Sequence, residues 1–239
     1  IDLNKWGITS PNFSLKGFDK YLEEFSTGLY GTIKPDIELI IRHSSGSLFQ
    51  EAHQEALFFN RSLDLFSGTL SSDYTTNKLI YSSIHYTPPF LARIIVEKAL
   101  KYIDLNKKKQ IKILDPACGT SQFAMESLKQ LRSYGYNGNV QIVGFDNSPS
   151  AINTSKFLLT YEKRVWGEKL DFNFQLIKDS LKTEWGDDYD LILMNPPFSS
   201  WEQMDKEKRE AVRISLGNDF EKRPNQASAF FQKSIQSLN

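Results

Sequence analysis

The stretch that organises this sequence is Asp190-Leu191-Ile192-Leu193-Met194-Asn195-Pro196-Pro197-Phe198. A short apolar run between an acidic residue and two prolines is typical of a buried strand in a parallel sheet. Because proline restricts the residue before it to extended backbone and lacks an N–H donor, we expect the strand to end at Asn195. The prolines then hold an amide and an aromatic ring beyond the strand's carboxyl end, where open α/β sheets bind ligands. Taken alone, the stretch also fits a strand that ends in a proline-rich turn without a ligand.

The composition narrows the class of protein. Of the 239 residues 40% are hydrophobic, which suits one or two globular domains, and 29 basic against 29 acidic residues argue against a large non-specific phosphate-binding surface. The single cysteine excludes an intrachain disulfide, and the three histidines lack metal-ligand spacing, so we expect no metal site. Without a long apolar run or a signal-peptide pattern, the chain is expected to be cytoplasmic, with no membrane partner.

Residues 1–80 carry apolar side chains at helical spacing, interrupted by short runs of serine, glycine and proline. We therefore predict a helical N-terminal region of several short helices. A scaffold or partner-binding role is the default for such a region.

A strand, a loop of small residues and a helix follow in the middle of the chain. Residues 111–115 form the predicted strand, Pro116-Ala117-Cys118-Gly119 the loop, and Phe123 lies at the start of the helix. Small side chains let a ligand approach backbone N–H groups, and the helix start supplies positive potential. This unit alone is weak evidence, because unrelated α/β proteins share it. Cys118 is better explained by packing than by nucleophilic chemistry, since no histidine is near it in sequence.

Two further predicted strands each end in an acidic residue. Asp146 ends the strand at 141–146 and can accept both ribose hydroxyls of a nucleoside, although a plain turn residue is the alternative. Ser148 and Pro149 suit the cap and first position of the next helix. Asp179 ends the strand predicted at 172–179, where it can accept an adenine amino group. Alternating strands and helices predict a parallel sheet with right-handed crossovers.

Residues 81–239 resemble the γ-type adenine-N6 DNA methyltransferases. The motifs that carry the resemblance are, in order, Tyr86-Thr87-Pro88-Pro89, Asp115-Pro116-Ala117-Cys118-Gly119, Phe145-Asp146, Asp179 and Asn195-Pro196-Pro197-Phe198. Their joint occurrence is far more specific than any one of them. The resemblance implies an α/β, Rossmann-like S-adenosylmethionine-dependent methyltransferase fold, truncated to the first four strands of its parallel sheet and preceded by the helical region 1–80.

The resemblance also implies the activity and its setting. A methyl group would pass from S-adenosylmethionine to the N6 amino group of an adenine flipped out of double-stranded DNA. The protein would be the methylase part of a restriction-modification or phage-defence system, with a specificity or nuclease domain or subunit as partner.

Roles follow for each motif by the same resemblance. The methionine portion of the cofactor would be flanked by Tyr86, Thr87 and Pro88. The floor beneath that portion would consist of Asp115, Pro116, Ala117, Cys118 and Gly119. Residues near the nucleoside would be Asp146 at the ribose diol, Asn147 beside the adenine, and Asp179, followed by Ser180, at the adenine amino group. The catalytic pocket would consist of Asn195, Pro196, Pro197 and Phe198.

Two departures from the family pattern affect these expectations. Ser121 replaces a glycine usual in the family, which is costly if its φ angle is positive. Truncation after the fourth strand would leave that strand as a bare edge. Because the chain starts at Ile1 rather than Met, we expect a fragment of a longer protein, weak or inactive as an isolated enzyme.

Other functions share part of this pattern. Asn-Pro-Pro-aromatic loops also serve methyltransferases that act on ribosomal RNA or on a protein glutamine. A non-catalytic, cofactor-binding subunit of a defence complex is the third alternative.

Overall fold

The computed structural model describes residues 87–238, the strand segments at 60–63 and 70–73, and residues 23, 27, 36 and 40. Within that part of the chain, two short antiparallel strands precede a unit of alternating helices and parallel strands. The elements, numbered among the described residues, are β1 (Asn60–Leu63), β2 (Leu70–Asp73), α1 (Pro89–Leu100), β3 (Gln110–Asp115), α2 (Gln122–Ser133), β4 (Asn139–Asp146), α3 (Pro149–Trp166), β5 (Leu170–Leu176), β6 (Leu191–Ile192), α4 (Lys206–Leu216) and α5 (Gln226–Ser237).

The main sheet has four parallel strands in the order β5-β4-β3-β6. At its centre Ile113 pairs with Ile142 of β4 on one side and with Leu191 of β6 on the other. This is the Rossmann-like arrangement that the sequence predicts, and its four parallel strands are confirmed. Because β6 lies directly beside β3, the last predicted loop is brought next to the first.

Two apolar clusters cover the sheet, because alternate residues of a strand point to opposite faces. Ile111 and Ile113 belong to a cluster with apolar residues of α1, α2 and α3, whereas Leu114 belongs to a cluster with α4 and α5. All three strand residues are essentially inaccessible to solvent. The burial of β3 on both faces explains its nearly continuous apolar sequence.

Prolines mark the starts of two helices, and the start at Pro149 was predicted. Pro89 is the first residue of α1, and Pro149 is the first residue of α3. Ser148 caps α3, since its side chain accepts a hydrogen bond from the backbone N–H of Ala151 (3.3 Å). Every helix in the described part of the chain is too short or too polar to cross a bilayer.

The structure differs from the sequence-based expectations in three places. The third strand stops at Leu176, and Asp179 instead begins a short 3-10 helix at 180–182. The outer edge of β6 is not wholly bare, because Tyr189 and Leu238 form a parallel bridge. Strands β1 and β2 lie within the region predicted to be helical, and the other helices predicted for residues 1–80 lie outside the described residues.

Gly144 allows β4 and β5 to pack closely, and its substitution should be costly. A Cβ atom at this position would lie 2.4 Å from the ring of Phe174 and 3.2 Å from Cys118 Cβ. We expect Gly144→Ala to lower the free energy of unfolding by about 2–3 kcal/mol, because a buried ring must be displaced. Urea denaturation of the variant and of a Gly144→Ala, Phe174→Leu double variant measures this. Equal losses in both proteins would contradict the steric cause.

Candidate active site

A cleft of about 360 Å³ opens where the four parallel strands end, within the size range of ligand-binding pockets. Predicted site residues that line it are Pro116, Ala117 and Gly119 after β3, Asp146 and Asn147 after β4, Asp179 and Ser180 after β5, and Asn195, Pro196 and Pro197 after β6. The structure therefore brings together residues from all four loops. Their individual roles stay predictions.

The other predicted residues are not in the lining of this cleft. Thr87 is buried and Pro88 is exposed just before α1, whereas Tyr86 lies outside the described residues. Asp115 and Cys118 are buried. Phe198 has 55% of its surface exposed.

The loop after β3 is tied to its neighbours by backbone hydrogen bonds. The N–H of Cys118 donates to the carbonyl of Phe145 (2.8 Å), and Ser155 Oγ donates to the carbonyl of Gly119 (3.0 Å). Gly119 has φ +50°, and a Cβ atom there would meet nothing within 4 Å. Its backbone is thus exposed to the cleft without an intervening side chain.

Asp146 closes this loop onto β4. Its Oδ2 accepts a hydrogen bond from the Gly119 N–H (2.9 Å), and its Oδ1 accepts one from the Ser148 N–H (2.8 Å). Burial raises the pKa of Asp146, while the N–H groups of Ser148, Gly119 and Asn147 act in the opposite direction. An ionised carboxylate has about four acceptor positions, so with these three N–H groups about one position remains for a ligand hydroxyl.

Asp115 lies beneath the loop with 2% of its surface exposed. Burial raises its pKa to about 8, the Ala117 N–H that it accepts at 3.2 Å lowers it, and the charge of Asp146 raises it further. A cation bound close to these two carboxyls would lower both pKa values. Asp146 in the cleft wall and Asp115 behind it are therefore acidic groups whose ionised forms a cationic ligand would favour.

The turn after β5 holds Asp179 in place from three directions. Asp179 Oδ1 accepts from the Leu181 N–H (3.0 Å), and Trp185 Nε1 donates to the carbonyl of Ser180 (2.8 Å). Lys233 Nζ, from α5, donates to the carbonyl of Leu181 (2.8 Å). The carboxylate of Asp179 thus borders the cleft on a braced turn.

The loop after β6 follows directly from the sheet. Leu193 N–H donates to the carbonyl of Leu114 (2.9 Å), which extends the pairing of β6 with β3 by one residue. Asn195, Pro196 and Pro197 are half-buried in the cleft wall. Their proximity to Gly119 is a consequence of the strand order, since β3 and β6 are neighbours.

The comparison with protein families gives this geometry a name. Residues 66–239 match the family model described as N-6 DNA Methylase. The chain belongs to the N-6 DNA methylase family. The match covers all four cleft loops, including Asn195, Pro196, Pro197 and Phe198.

Curated proteins similar to this methylase come from bacteria and archaea. The type II methyltransferase M.BanIII of Aneurinibacillus aneurinilyticus is 31% identical over 48% of this chain and 21% of its own length. The type I restriction enzyme MjaIX methylase subunit of Methanocaldococcus jannaschii is 27% identical over 77% of this chain and 30% of its own. A release factor glutamine methyltransferase of Clostridium acetobutylicum is 31% identical over 47% of this chain and 36% of its own length. The chain thus spans between about a fifth and a third of the length of these relatives.

The cofactor of this chain is S-adenosylmethionine, and the residues present fit it. The cofactor is a nucleoside that carries a sulfonium cation. Gly119 leaves open space above the loop, Asp146 retains an acceptor position for a ribose hydroxyl, and Asp115 adds a buried acidic group. Shape, acceptor set and charge therefore agree with the group that the family uses.

Several residues of the methylase's cleft were not predicted from the sequence. They are Ser148, Ala151, Ile177, Lys178, Ser199, Asp205, Glu207, Lys208, Gln226 and Phe230. Glu207 of α4 pairs with Lys178 (3.6 Å) and Lys182 (2.7 Å), so it links the turn after β5 to α4. Ile177 could have been found from its position two residues before Asp179. No local pattern indicates that α4 and α5 border the site.

Ser121 adopts the conformation that the sequence analysis identified as costly. It has φ +61° and ψ 35°, it is fully buried, and its hydroxyl has no hydrogen-bond partner among the described residues. A left-handed conformation costs a residue with a Cβ atom about 1–2 kcal/mol, and an unpaired buried hydroxyl adds a similar amount. The greater chain entropy of unfolded glycine offsets part of this.

We therefore expect Ser121→Gly to raise the free energy of unfolding of the methylase by about 1 kcal/mol. Chemical denaturation measures the change. Ser121→Ala is the matched control, because it removes the hydroxyl and keeps the backbone strain, so its gain should be smaller. A glycine variant no more stable than the alanine variant would show that strain is not the larger cost.

Proposed function

We propose that this protein transfers the methyl group of S-adenosylmethionine to the N6 amino group of adenine in double-stranded DNA. The observation that carries the proposal is the shared cleft of Gly119 and Asn195, which come from loops far apart in sequence. One loop belongs to the part of the cleft suited to a cationic nucleoside. The other presents hydrogen-bond acceptors beside it.

The reacting group is a poor nucleophile, because the adenine amino lone pair is delocalised into the ring. The side-chain oxygen of Asn195 and the carbonyl of Pro196 can each accept one N–H bond from that nitrogen. Acceptance of both hydrogens draws the nitrogen toward tetrahedral geometry and makes the lone pair available. The enzyme's contribution is then placement and stabilisation of developing positive charge.

The two prolines keep these acceptors in position. Neither Pro196 nor Pro197 has a backbone N–H that could compete for an acceptor, and their fixed φ angles stiffen the loop. Pairing of β6 with β3 anchors the loop at its start. The acceptors are thus held in place before the substrate arrives, which lowers the reorganisation needed for reaction.

The base must leave the duplex to reach this cleft. Phe198 follows the prolines, and its large exposed fraction leaves a ring surface on which a flipped-out base can stack. The bound cofactor supplies an electrophilic methyl group on a sulfonium centre. Asp146, Asp179 and the Gly119 backbone would hold it, and Asn195 would orient the amine in line with it.

The setting that we propose is a restriction-modification system, with a specificity or nuclease subunit or domain as partner and the cytoplasm as location. The relative from Methanocaldococcus is named a type I restriction enzyme methylase subunit, which supports DNA as the acceptor. The glutamine methyltransferase relative supports a second candidate, transfer to a protein glutamine, whose amide nitrogen is also planar and weakly nucleophilic.

A labelled-methyl assay that offers unmethylated DNA, ribosomal RNA and release factor side by side tests the proposal. We expect label in DNA, retained as N6-methyladenine after digestion to nucleosides. Label in release factor or RNA, but not in DNA, would overturn the DNA assignment. Calorimetry with S-adenosylmethionine that shows binding but no transfer to any acceptor would indicate a non-catalytic subunit.

A further inference from the structure

Gln226 is a buried amide in the wall of the cleft. Only 6% of its surface is exposed, and it lines the cleft together with Asn195 and Asp179. No hydrogen bond joins its side-chain amide to any residue that the structure describes, whereas its backbone N–H donates to the carbonyl of Ser199 (3.0 Å). The amide atoms of Gln226 are not among the polar atoms closed off from solvent, so this largely buried side chain is open to the cleft and can hydrogen-bond a ligand there.

The neighbours of Gln226 define what that ligand would meet. The bond to Ser199 places the first residue of α5 against the segment that follows Asn195-Pro196-Pro197-Phe198. Phe230, one helical turn further along α5, also lines the cleft and is 3% exposed. Residues four apart share a helix face. An amide edge and an aromatic ring therefore lie side by side on α5.

This pair of side chains matches the chemistry of an adenine ring. A glutamine amide places a donor and an acceptor next to each other. The N6 amino group and N7 of adenine do the same along one edge of the ring. The ring of Phe230 is packed against Trp185 in the core, so it contributes only an apolar edge to the cleft wall beside the amide. On that edge a 6-oxo purine presents two acceptors, O6 and N7, so the amide oxygen of the glutamine would face an acceptor.

We propose that Gln226 binds the edge of an adenine ring in the cleft and selects it over a 6-oxo purine. The inference rests on the proposed function, in which the cleft receives adenine from two sources, the cofactor and the target base. Both present the same edge to a glutamine amide. The experiment below separates them.

The first arm uses the cofactor product alone. Binding of S-adenosylhomocysteine and of S-inosylhomocysteine, which has oxygen in place of the amino group, is measured by calorimetry for wild type and Gln226→Leu. If Gln226 binds the cofactor's adenine, the variant should lose about tenfold or more in affinity for the adenosyl compound. Its affinity for the inosyl compound should fall less than threefold.

The second arm uses DNA. If Gln226 binds the target base, Gln226→Leu should bind S-adenosylhomocysteine as wild type does. The kcat/KM for labelled-methyl transfer to unmethylated DNA should then fall about tenfold or more. Gln226→Glu, which keeps acceptor oxygens and loses the amide donor, should show the loss in the same arm and serves if the leucine variant does not fold.

Gln232→Leu is the matched control, because Gln232 lies on the same helix with its amide donating to Asp219 Oδ2 (2.7 Å). It should change neither measurement. Equal losses for both homocysteine compounds, or no loss in either arm, would overturn the proposal. If the wild-type protein transfers no methyl to DNA, the proposed function fails by itself. The cofactor arm then decides the role of Gln226. If wild type and Gln226→Leu have the same ratio of affinities for the adenosyl and inosyl compounds, the proposed role of Gln226 is overturned.

Discussion

Asn195→Ala is expected to lower the rate of methyl transfer to DNA by ~1,000-fold or more, with cofactor affinity changed less than threefold. Removal of one preorganised polar group from a transition-state site typically has an effect of this size. Alanine cannot accept the amine hydrogen, whereas Gly119, Asp146 and Asp179, on the other loops of the cleft, are untouched. The loss should therefore appear in kcat rather than in cofactor binding.

Single-turnover transfer of labelled methyl measures the rate, and calorimetry measures cofactor affinity. Asn173→Ala is a suitable control, because Asn173 is an exposed residue in the middle of β5. That variant should keep wild-type activity. Turnover by Asn195→Ala within tenfold of wild type would remove Asn195 from the proposed mechanism.

Asp115→Asn is expected to stabilise the cofactor-free protein increasingly as the pH rises from about 4 to about 8. The folded pKa of Asp115, about 8, is above the value near 3.9 of an unfolded aspartate. Folding therefore favours the protonated acid. Its contribution to stability is complete below pH 4, declines as the pH rises, and is lost above pH 8. An asparagine has no such loss.

The difference in the free energy of unfolding between wild type and Asp115→Asn should change by up to ~5 kcal/mol over this pH range. This follows from a pKa difference of about four units at 1.36 kcal/mol each. Urea denaturation of both proteins at several pH values, without cofactor, measures it. Asparagine keeps a side-chain oxygen for the Ala117 N–H, so the local hydrogen bond should survive. Asp171→Asn, at an exposed carboxyl on β5, is the matched surface control. Parallel stability curves for wild type and Asp115→Asn would contradict the raised pKa.

The same substitution should weaken cofactor binding at pH 8. A sulfonium cation bound close to Asp115 would favour the ionised carboxylate, which asparagine cannot provide. Stability without cofactor and affinity for it are thus expected to change in opposite directions. This trade-off is typical of a site arranged for a ligand rather than for the empty protein.

Local features of the sequence were sufficient for most of the fold. Pro149 marked a helix start, and apolar runs that ended in Asp115 and Asp146 marked strands, because backbone restriction and burial act over a few residues. The end of the third strand was misplaced, since its last predicted residues leave the ladder after Leu176. An acidic residue after a strand does not by itself say whether the strand reaches it.

The sequence by itself determined the residue types of the site and the four-stranded parallel sheet, because strand periodicity, proline restriction and small loop residues are local properties. The meeting of Gly119 with Asn195 at neighbouring strand ends was expected from the family resemblance, and the pairing of β6 with β3 produces it. Only the tertiary structure decided that Ser121 is left-handed and that Gln226 and Phe230 of α5 face the cleft. These two features depend on contacts between segments distant in the chain, which no local pattern encodes.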